Sequence, residues 1–269
     1  MNEPHLAALK CPKCGKKIRL SGNFEPRTEV NEGEIVCEKG HVWSVTNGIP
    51  SLVHPPVSAD DAKWISDYDE MAENYDELVK QYDDWLGIDM MKERLRLFHF
   101  VPIEGPVRMI DVSIGTGANF MALHEQYKDK IGRFNLHGMD LSKEMLQVSC
   151  RKFGQAKMSV SLTHGSVFNI PYQTNFFNIV IHSGGINTFS DISGTLREML
   201  RIARSGGTII VVDEGLSPRK RETKEGKAII KANNLFASKP PIQHIPDNAK
   251  DVEVIYVMNE TFYQIAFKK

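Results

Sequence analysis

Long apolar runs are missing from this chain: none approaches the ~18–20 residues that a membrane-crossing helix needs, and the longest have the size of buried strands. The opening residues Met1–Lys10 lack the apolar core of an export signal. These two gaps predict a soluble, cytoplasmic protein with no membrane insertion. An excess of one charge sign is also missing. The formal net charge of −1 argues against a protein that coats nucleic acid, while leaving local basic segments open. There is no internal repeat and no low-complexity tract. Cysteine is scarce, with four in 269 residues, yet three of them fall within the first forty. Without an export signal, such crowding points to a metal site before a disulfide framework.

What is present is an ordinary globular composition, 41% apolar and 25% charged, rather than that of a fibre or a disordered chain. The length suits one sizeable α/β domain with a small appendage. His54-Pro55-Pro56 divides the chain, because a double proline enforces an extended linker. Residues 1–57 form a first module, for which Val42, Trp43, Val45, Ile49, Leu52 and Val53 offer a minimal core. Residues 58–105 read as a helical lid or N-terminal extension of the domain that follows. There Ser58 and Asp60 offer N-caps, and Tyr68, Met71, Ala72, Tyr75 and Leu78 recur at helical spacing. A second helix is expected near Ile88–Phe100, with Met91, Leu95 and Phe98 on one face and Pro102 beyond its end.

Residues 106–269 alternate short apolar strands with amphipathic helices. Strands are expected at Val107–Val112, Phe134–Met139, Ser159–Thr163, Phe177–His182 and Thr208–Val212. Helices are expected at Asn119–Tyr127, Ser142–Phe153, Asp191–Ala203 and Glu222–Phe236. This rhythm predicts an α/β fold, a parallel sheet with helices on both faces. Val252–Val257 and Thr261–Phe267 break it as a terminal β-hairpin.

The loop Asp111-Val112-Ser113-Ile114-Gly115-Thr116-Gly117 follows the first of these strands and opens a helix. Ligands of open α/β sheets bind beyond the carboxyl ends of the strands, and glycine lets a ligand lie against the backbone. An acidic residue at the end of the next strand commonly holds ribose hydroxyls, and Asp140 stands there. A dinucleotide fingerprint would need a third glycine at position 120, where Phe120 is found, so an NAD(P)-dependent oxidoreductase is disfavoured. A glycine turn without a ligand remains an alternative for this loop alone.

The ordered set Ile110–Gly117, Gly138–Leu146, Gly165–Tyr172, Phe177–Val180 and Leu200–Val212 resembles the class I S-adenosylmethionine-dependent methyltransferases. The similarity is greatest to the branch containing the ubiquinone/menaquinone methyltransferases, and it covers about residues 60–215. Its most specific pieces are Gly138-x-Asp140-x-Ser142-x-x-Met145-Leu146 and Leu200–Gly207. The resemblance implies a Rossmann-like fold with a mostly parallel seven-stranded sheet. It further implies that Gly115 and Gly117 flank the methionine part of the cofactor, with Ser113 in the same loop and Asp111 at the amino end. Asp140, followed by Leu141, would take the ribose, and Ser166 and Val167 would lie at the adenine. His182, Ser183 and Gly184 would border the methyl group. Serine at 113 and at 166 departs from the small residue and the aspartate usual there.

Methyl transfer from a sulfonium is an in-line displacement, which asks a protein chiefly for alignment and exclusion of water. His182 is a candidate general base, or a histidine that caps its strand. Asn187 is a candidate for orienting a substrate polar group, or for stabilising its turn. Tyr68 and Tyr75 have the spacing of packing residues.

Cys11-Pro12-Lys13-Cys14-Gly15 and Cys37-Glu38-Lys39-Gly40-His41 are two metal-binding knuckles, giving three sulfurs and one imidazole. Cys11, Cys14, Cys37 and His41 thus make the closed tetrahedral set of structural Zn²⁺. Buried thiols or a redox pair at Cys11/Cys14 are the alternatives. Cys150 falls in a helix and reads as packing. A Cys-x2-Cys…Cys-x3-His segment before a class I domain is similar to the ribosomal RNA guanine-N1 methyltransferases, in its four ligands and domain order, which implies a docking surface for a macromolecule. Lys13, Lys16, Lys17 and Arg19 suit phosphate, but Glu25, Glu29, Glu32, Glu34 and Glu38 offset them. Arg219-Lys220-Arg221, with Lys224 and Lys227, is the stronger basic run, or a charged helix in solvent. The expected function is methyl transfer to an acceptor that is either a small molecule or RNA. A catalytically silent scaffold whose zinc module binds a partner is the alternative.

Overall fold

The computed structural model describes residues 1–22, 29–98 and 106–269, without the side chains of Ala59 and Asp60. Glu25 and the expected helix end at Phe100, Pro102 and Gly105 lie outside the described residues. A short helix, α1 (Glu3–Ala8), capped by the Asn2 side chain, precedes four strands: β1 (Ile18–Leu20), β2 (Gly33–Cys37), β3 (Val42–Thr46) and β4 (Ile49–Pro50). They form an antiparallel sheet in the order β1-β2-β3-β4.

Three helices follow: α2 (Ala59–Met71), α3 (Tyr75–Leu86) and α4 (Met90–Leu97). The Ser58 hydroxyl caps α2 by accepting from Asp61 N at 3.1 Å. A 3₁₀ turn over Ala72–Asn74 separates α2 from α3, and Gly87 closes α3 in a left-handed conformation. The expected apolar face of α4 is corrected. Met90, Leu97 and Phe98 are buried, whereas Met91 faces out at 45% exposure.

The larger sheet contains β5 (Val107–Asp111), β6 (Phe134–Asp140), β7 (Val160–His164), β8 (Phe177–Ser183), β9 (Ala203–Glu214), β10 (Lys250–Val257) and β11 (Phe262–Lys268). Its order is β10-β11-β9-β8-β5-β6-β7, parallel through β5–β9, with the β10–β11 hairpin antiparallel. The crossover helices are α5 (Ala118–Tyr127), α6 (Lys143–Gln155) and α7 (Ile192–Ile202). Strands covered on both faces read as continuous apolar runs, and Ile209–Val212 is buried throughout. This is the Rossmann-like methyltransferase fold. The single helix expected over Glu222–Phe236 is instead α8 (Pro218–Arg221), α9 (Lys224–Ala232) and a 3₁₀ turn at Asn234–Ala237. Thr223 breaks it, because its hydroxyl caps α9 by accepting from Gly226 N at 2.9 Å.

The two sheets meet along β7. Ser51 bridges His164 in parallel, and Leu52 N donates to His164 O at 2.7 Å. On the other side Leu9 bridges Tyr172, and His5 Nε2 lies 2.9 Å from Thr163 Oγ1. Leu9, Ile35, Val45 and Leu52 belong to the same apolar cluster as Ile110, Val180 and Ile209. Val42, by contrast, is 53% exposed and adds nothing to that core.

Candidate functional site

The strand order reverses direction beside β5, where β6 and β7 extend one way and β8 and β9 the other. Such a switch point leaves a crevice at the carboxyl ends of the strands. A cleft of about 810 Å³, its open mouth included, lies there beneath α2 and α3. Val112, Ser113 and Gly115 form its floor after β5, and Asp140, Leu141 and Ser142 its side after β6. Val167 and Phe168 bound it after β7, and Ser183 and Gly184 after β8. The helical extension closes it with Asp61, Trp64, Ile65, Tyr68 and Tyr75.

Two glycines set the loop. Gly117 has φ 84°, and a Cβ there would come 2.4 Å from Phe153 Cζ. At Gly138 a Cβ would meet Ile114 Cδ1 at 2.2 Å, so the β5 loop sits directly on β6. Phe120, where a dinucleotide site would carry glycine, is fully buried with its ring 6.4 Å from that of Phe153.

Asp140 accepts from Gly115 N at 2.8 Å and from Ser142 N at 2.9 Å, and burial raises its pKa. Each carboxylate oxygen has a second lone pair, so hydroxyl groups in the cleft still find an acceptor. Asp111 lies behind the loop, accepting from Asn119 Nδ2 at 2.8 Å and Ser113 N at 3.3 Å. Burial pushes its pKa up to about 6. Ser166 does not line the cleft; its hydroxyl accepts from Phe168 N at 3.2 Å.

His182 is fully buried behind the cleft wall, with Nδ1 3.0 Å from Ser113 Oγ, and burial lowers its pKa to about 4. Asn187 also stands behind the wall. Its N–H and Nδ2 donate to Asp213 and to Glu214 O, both at 2.8 Å, and its Oδ1 accepts from Tyr263 OH at 2.8 Å.

The lid contributions were not readable from spacing. Tyr68 and Tyr75 line the cleft as well as packing on each other, with ring centroids 6.0 Å apart. Three lid carboxylates grip hydroxyl groups on three different loops: Ser190 donates to Asp61 at 3.0 Å, Ser142 to Asp69 at 2.5 Å and Thr116 to Asp76 at 2.6 Å. The only advance signal was the density of acidic residues in α2 and α3.

At the other sheet, Cys11, Cys14, Cys37 and His41 offer ligand atoms that all lie within 4.8 Å of one another. Cys14 Sγ is 3.6 Å from Cys37 Sγ, and His41 Nδ1 is 3.3 Å from Cys37 Sγ. Cys150 is in a helix as expected, but on its exposed face. Part of the basic run is engaged within the fold, while Arg219, Lys224 and Lys227 remain exposed. Lys220 is buried and pairs with Glu225 at 3.0 Å, Arg221 donates to Leu216 O and Ala237 O, and Arg219 pairs with Glu260. Among the described residues no helix is long and apolar enough to cross a membrane.

Fold and cleft together define a protein of the methyltransferase class. Residues 59–221 match the model of the ubiE/COQ5 methyltransferase family, and the chain belongs to that family. Demethylmenaquinone methyltransferase of Shouchella clausii is 32% identical over 112 residues, which are 41% of this chain and 46% of that protein. The chain thus spans about half the length of the curated relatives it matches. Among solved structures, an S-adenosylmethionine-dependent methyltransferase of Methanococcus maripaludis superposes with TM-score 0.55 at 21% identity, over 75% of this chain and 93% of that one. Phosphoethanolamine N-methyltransferase 2 of Haemonchus contortus, in complex with S-adenosylmethionine, gives 0.53 at 16%, over 66% and 52%. These likenesses concern the fold.

Proposed function

We propose that the chain transfers a methyl group from S-adenosylmethionine to a small, uncharged, largely apolar acceptor. One observation carries the choice of acceptor. Among the described residues Asp61 and Asp140 are the only charged ones that line the cleft, and Trp64, Ile65, Phe168 and Phe189 give the wall an apolar character. A phosphate-bearing acceptor would need cations at that wall, as phosphate recognition does generally. The demethylmenaquinone methyltransferases among the relatives agree with an apolar ring as acceptor.

Bound S-adenosylmethionine supplies the electrophilic methyl group. In this reading Gly115 leaves room for the methionine part, Gly117 lets the Phe153 ring pack against the loop, Asp140 receives the ribose hydroxyls, and Val167 with Phe168 covers the adenine. Ser183 and Gly184 border the methyl group. Tyr68, Tyr75 and the lid exclude water and orient the acceptor. His182 and Asn187 act from behind the wall, His182 by holding Ser113 and Asn187 by tying its turn to Asp213, Glu214 and Tyr263. Cys11, Cys14, Cys37 and His41 hold one Zn²⁺. Three sulfurs and one ring nitrogen at these separations fit its preferred donor set and leave no open position, so the metal is structural.

Incubation with labelled S-adenosylmethionine and a cell extract, separated into RNA, protein and lipid-soluble fractions, tests the acceptor. Label is expected in the lipid-soluble fraction. Label confined to RNA would overturn the choice.

A further inference from the structure

The loop between β7 and β8 has two jobs that meet at one side chain. Near its start, Gly165, Val167 and Phe168 line the cleft. Its next residue, Asn169, turns away and uses both hydrogens of its amide: Nδ2 donates to Pro12 O at 2.9 Å and to His54 O at 2.7 Å. Pro12 lies inside the first knuckle, between Cys11 and Cys14, and His54 begins the linker. A single amide therefore ties the knuckle, the linker and the cleft wall together. Asn169 N donates to Ser166 O at 3.2 Å, so a shift of Asn169 is passed to the residues that precede it. Further along, Lys10 N donates to Pro171 O and Gln173 Nε2 to Leu9 O, at 2.9 and 2.8 Å. The end of the loop has a separate anchor, because Glu198 and Arg201 of α7 hold Ile170 and Tyr172. The part nearest the cleft is tied to the knuckle itself through Asn169.

We infer that Asn169 is a positioning residue that couples the cysteine site to the cofactor site, so that metal at the cysteines and cofactor in the cleft strengthen each other's binding. This rests on the proposed zinc and S-adenosylmethionine sites. A metal fixes Cys11 relative to Cys14 and thereby the carbonyl of the proline between them. Without it Pro12 O moves, Asn169 loses an acceptor, and Val167 and Phe168 lose their fixed place at the cleft. Coupling between two sites is reciprocal for binding equilibria, which gives the inference a signature that simple loss of stability lacks.

The experiment compares the full chain with Asn169→Ala. Zinc content is measured first, then S-adenosylhomocysteine affinity by calorimetry, then the rate of zinc loss to a chelator with and without S-adenosylhomocysteine. The substitution is expected to leave zinc bound and to weaken S-adenosylhomocysteine roughly fivefold or more, within the usual range of coupling. S-adenosylhomocysteine is expected to slow zinc loss from the parent and not from the variant. Unchanged affinity in Asn169→Ala, or zinc loss from the parent indifferent to S-adenosylhomocysteine, overturns the coupling. A parent that carries no zinc overturns the metal reading, and one that binds no S-adenosylhomocysteine overturns the cofactor reading. If Asn169→Ala does not fold, hydrogen exchange on the parent decides. Faster exchange at the Val167 and Phe168 amides after chelation supports the coupling, and unchanged exchange contradicts it.

Discussion

The β1–β4 sheet and the seven-stranded sheet draw their order from different sources. In the larger sheet, strands such as Ile209–Val212 are buried on both faces, and fully buried side chains such as Phe120 and Phe177 fill the space beneath the helices. In the smaller sheet β3 alternates and leaves Val42 exposed, and the apolar residues that are buried join the core of the larger sheet. Beside them stands a cluster of three thiols and an imidazole, with Cys11 and Cys37 buried and Cys14 and His41 half-buried. One region is held by removing apolar surface from water and the other, in the proposed reading, by four bonds to an ion. Burial tolerates small losses at many points, whereas coordination is lost at one. The contrast also explains why the two sheets share a seam: a four-stranded sheet with little core of its own leans on β7.

The sharpest way to break this comparison is Cys37→Ser. Removing one of four ligands is expected to abolish zinc binding and cost at least several kcal/mol of stability, on the scale of structural zinc sites, while the larger sheet keeps its secondary structure. Metal analysis and thermal melts followed by circular dichroism check this; a variant that melts like the parent would show that the ligand set does not hold the region. Phe120→Ala attacks the other source of order. Its fully buried ring predicts a loss of roughly 3–5 kcal/mol, with zinc content unchanged, measurable by denaturant unfolding.

Acid should separate the regions again. Burial holds the His182 ring neutral, with a folded-state pKa near 4 against 6.5 for an exposed ring. Because the folded pKa is depressed, this share of stability is present above about pH 6.5 and is lost as pH falls toward 4, on the order of 3 kcal/mol. His182→Gln is expected to flatten that part of the pH–stability curve in metal-free buffer; an unchanged slope would contradict the assignment. The smallest effect concerns the seam. Ser51→Ala removes the contact of 2.8 Å between Ser51 Oγ and His164 Nδ1, and a loss of about 1 kcal/mol is expected.

The strands β5 to β11 and the helices α5, α6 and α7 were legible because the apolar period of each element is carried by its own residues. The places of Gly115 and Asp140 at the cleft were legible because each stands at or just beyond the carboxyl end of its own strand. The acidic latches of the lid, the place of Tyr68 in the cleft wall and the contacts of Asn169 were not, since each joins segments far apart in the chain. Asn169 and Pro12 are separated by 157 positions. The paired fates of Lys220 and Arg221 were hidden too, because a basic run looks alike in solvent and in a buried turn. Helix α1 is six residues long and carries no period to detect.

The central claim is that the cleft at the β5–β8 switch point holds S-adenosylmethionine. Calorimetric titration of the full chain with S-adenosylhomocysteine, beside Asp140→Ala, tests it most directly. One site per chain is expected, with binding weakened at least tenfold in the variant while its circular dichroism is preserved. Absence of heat with the intact protein, or equal affinity in Asp140→Ala, would contradict the account.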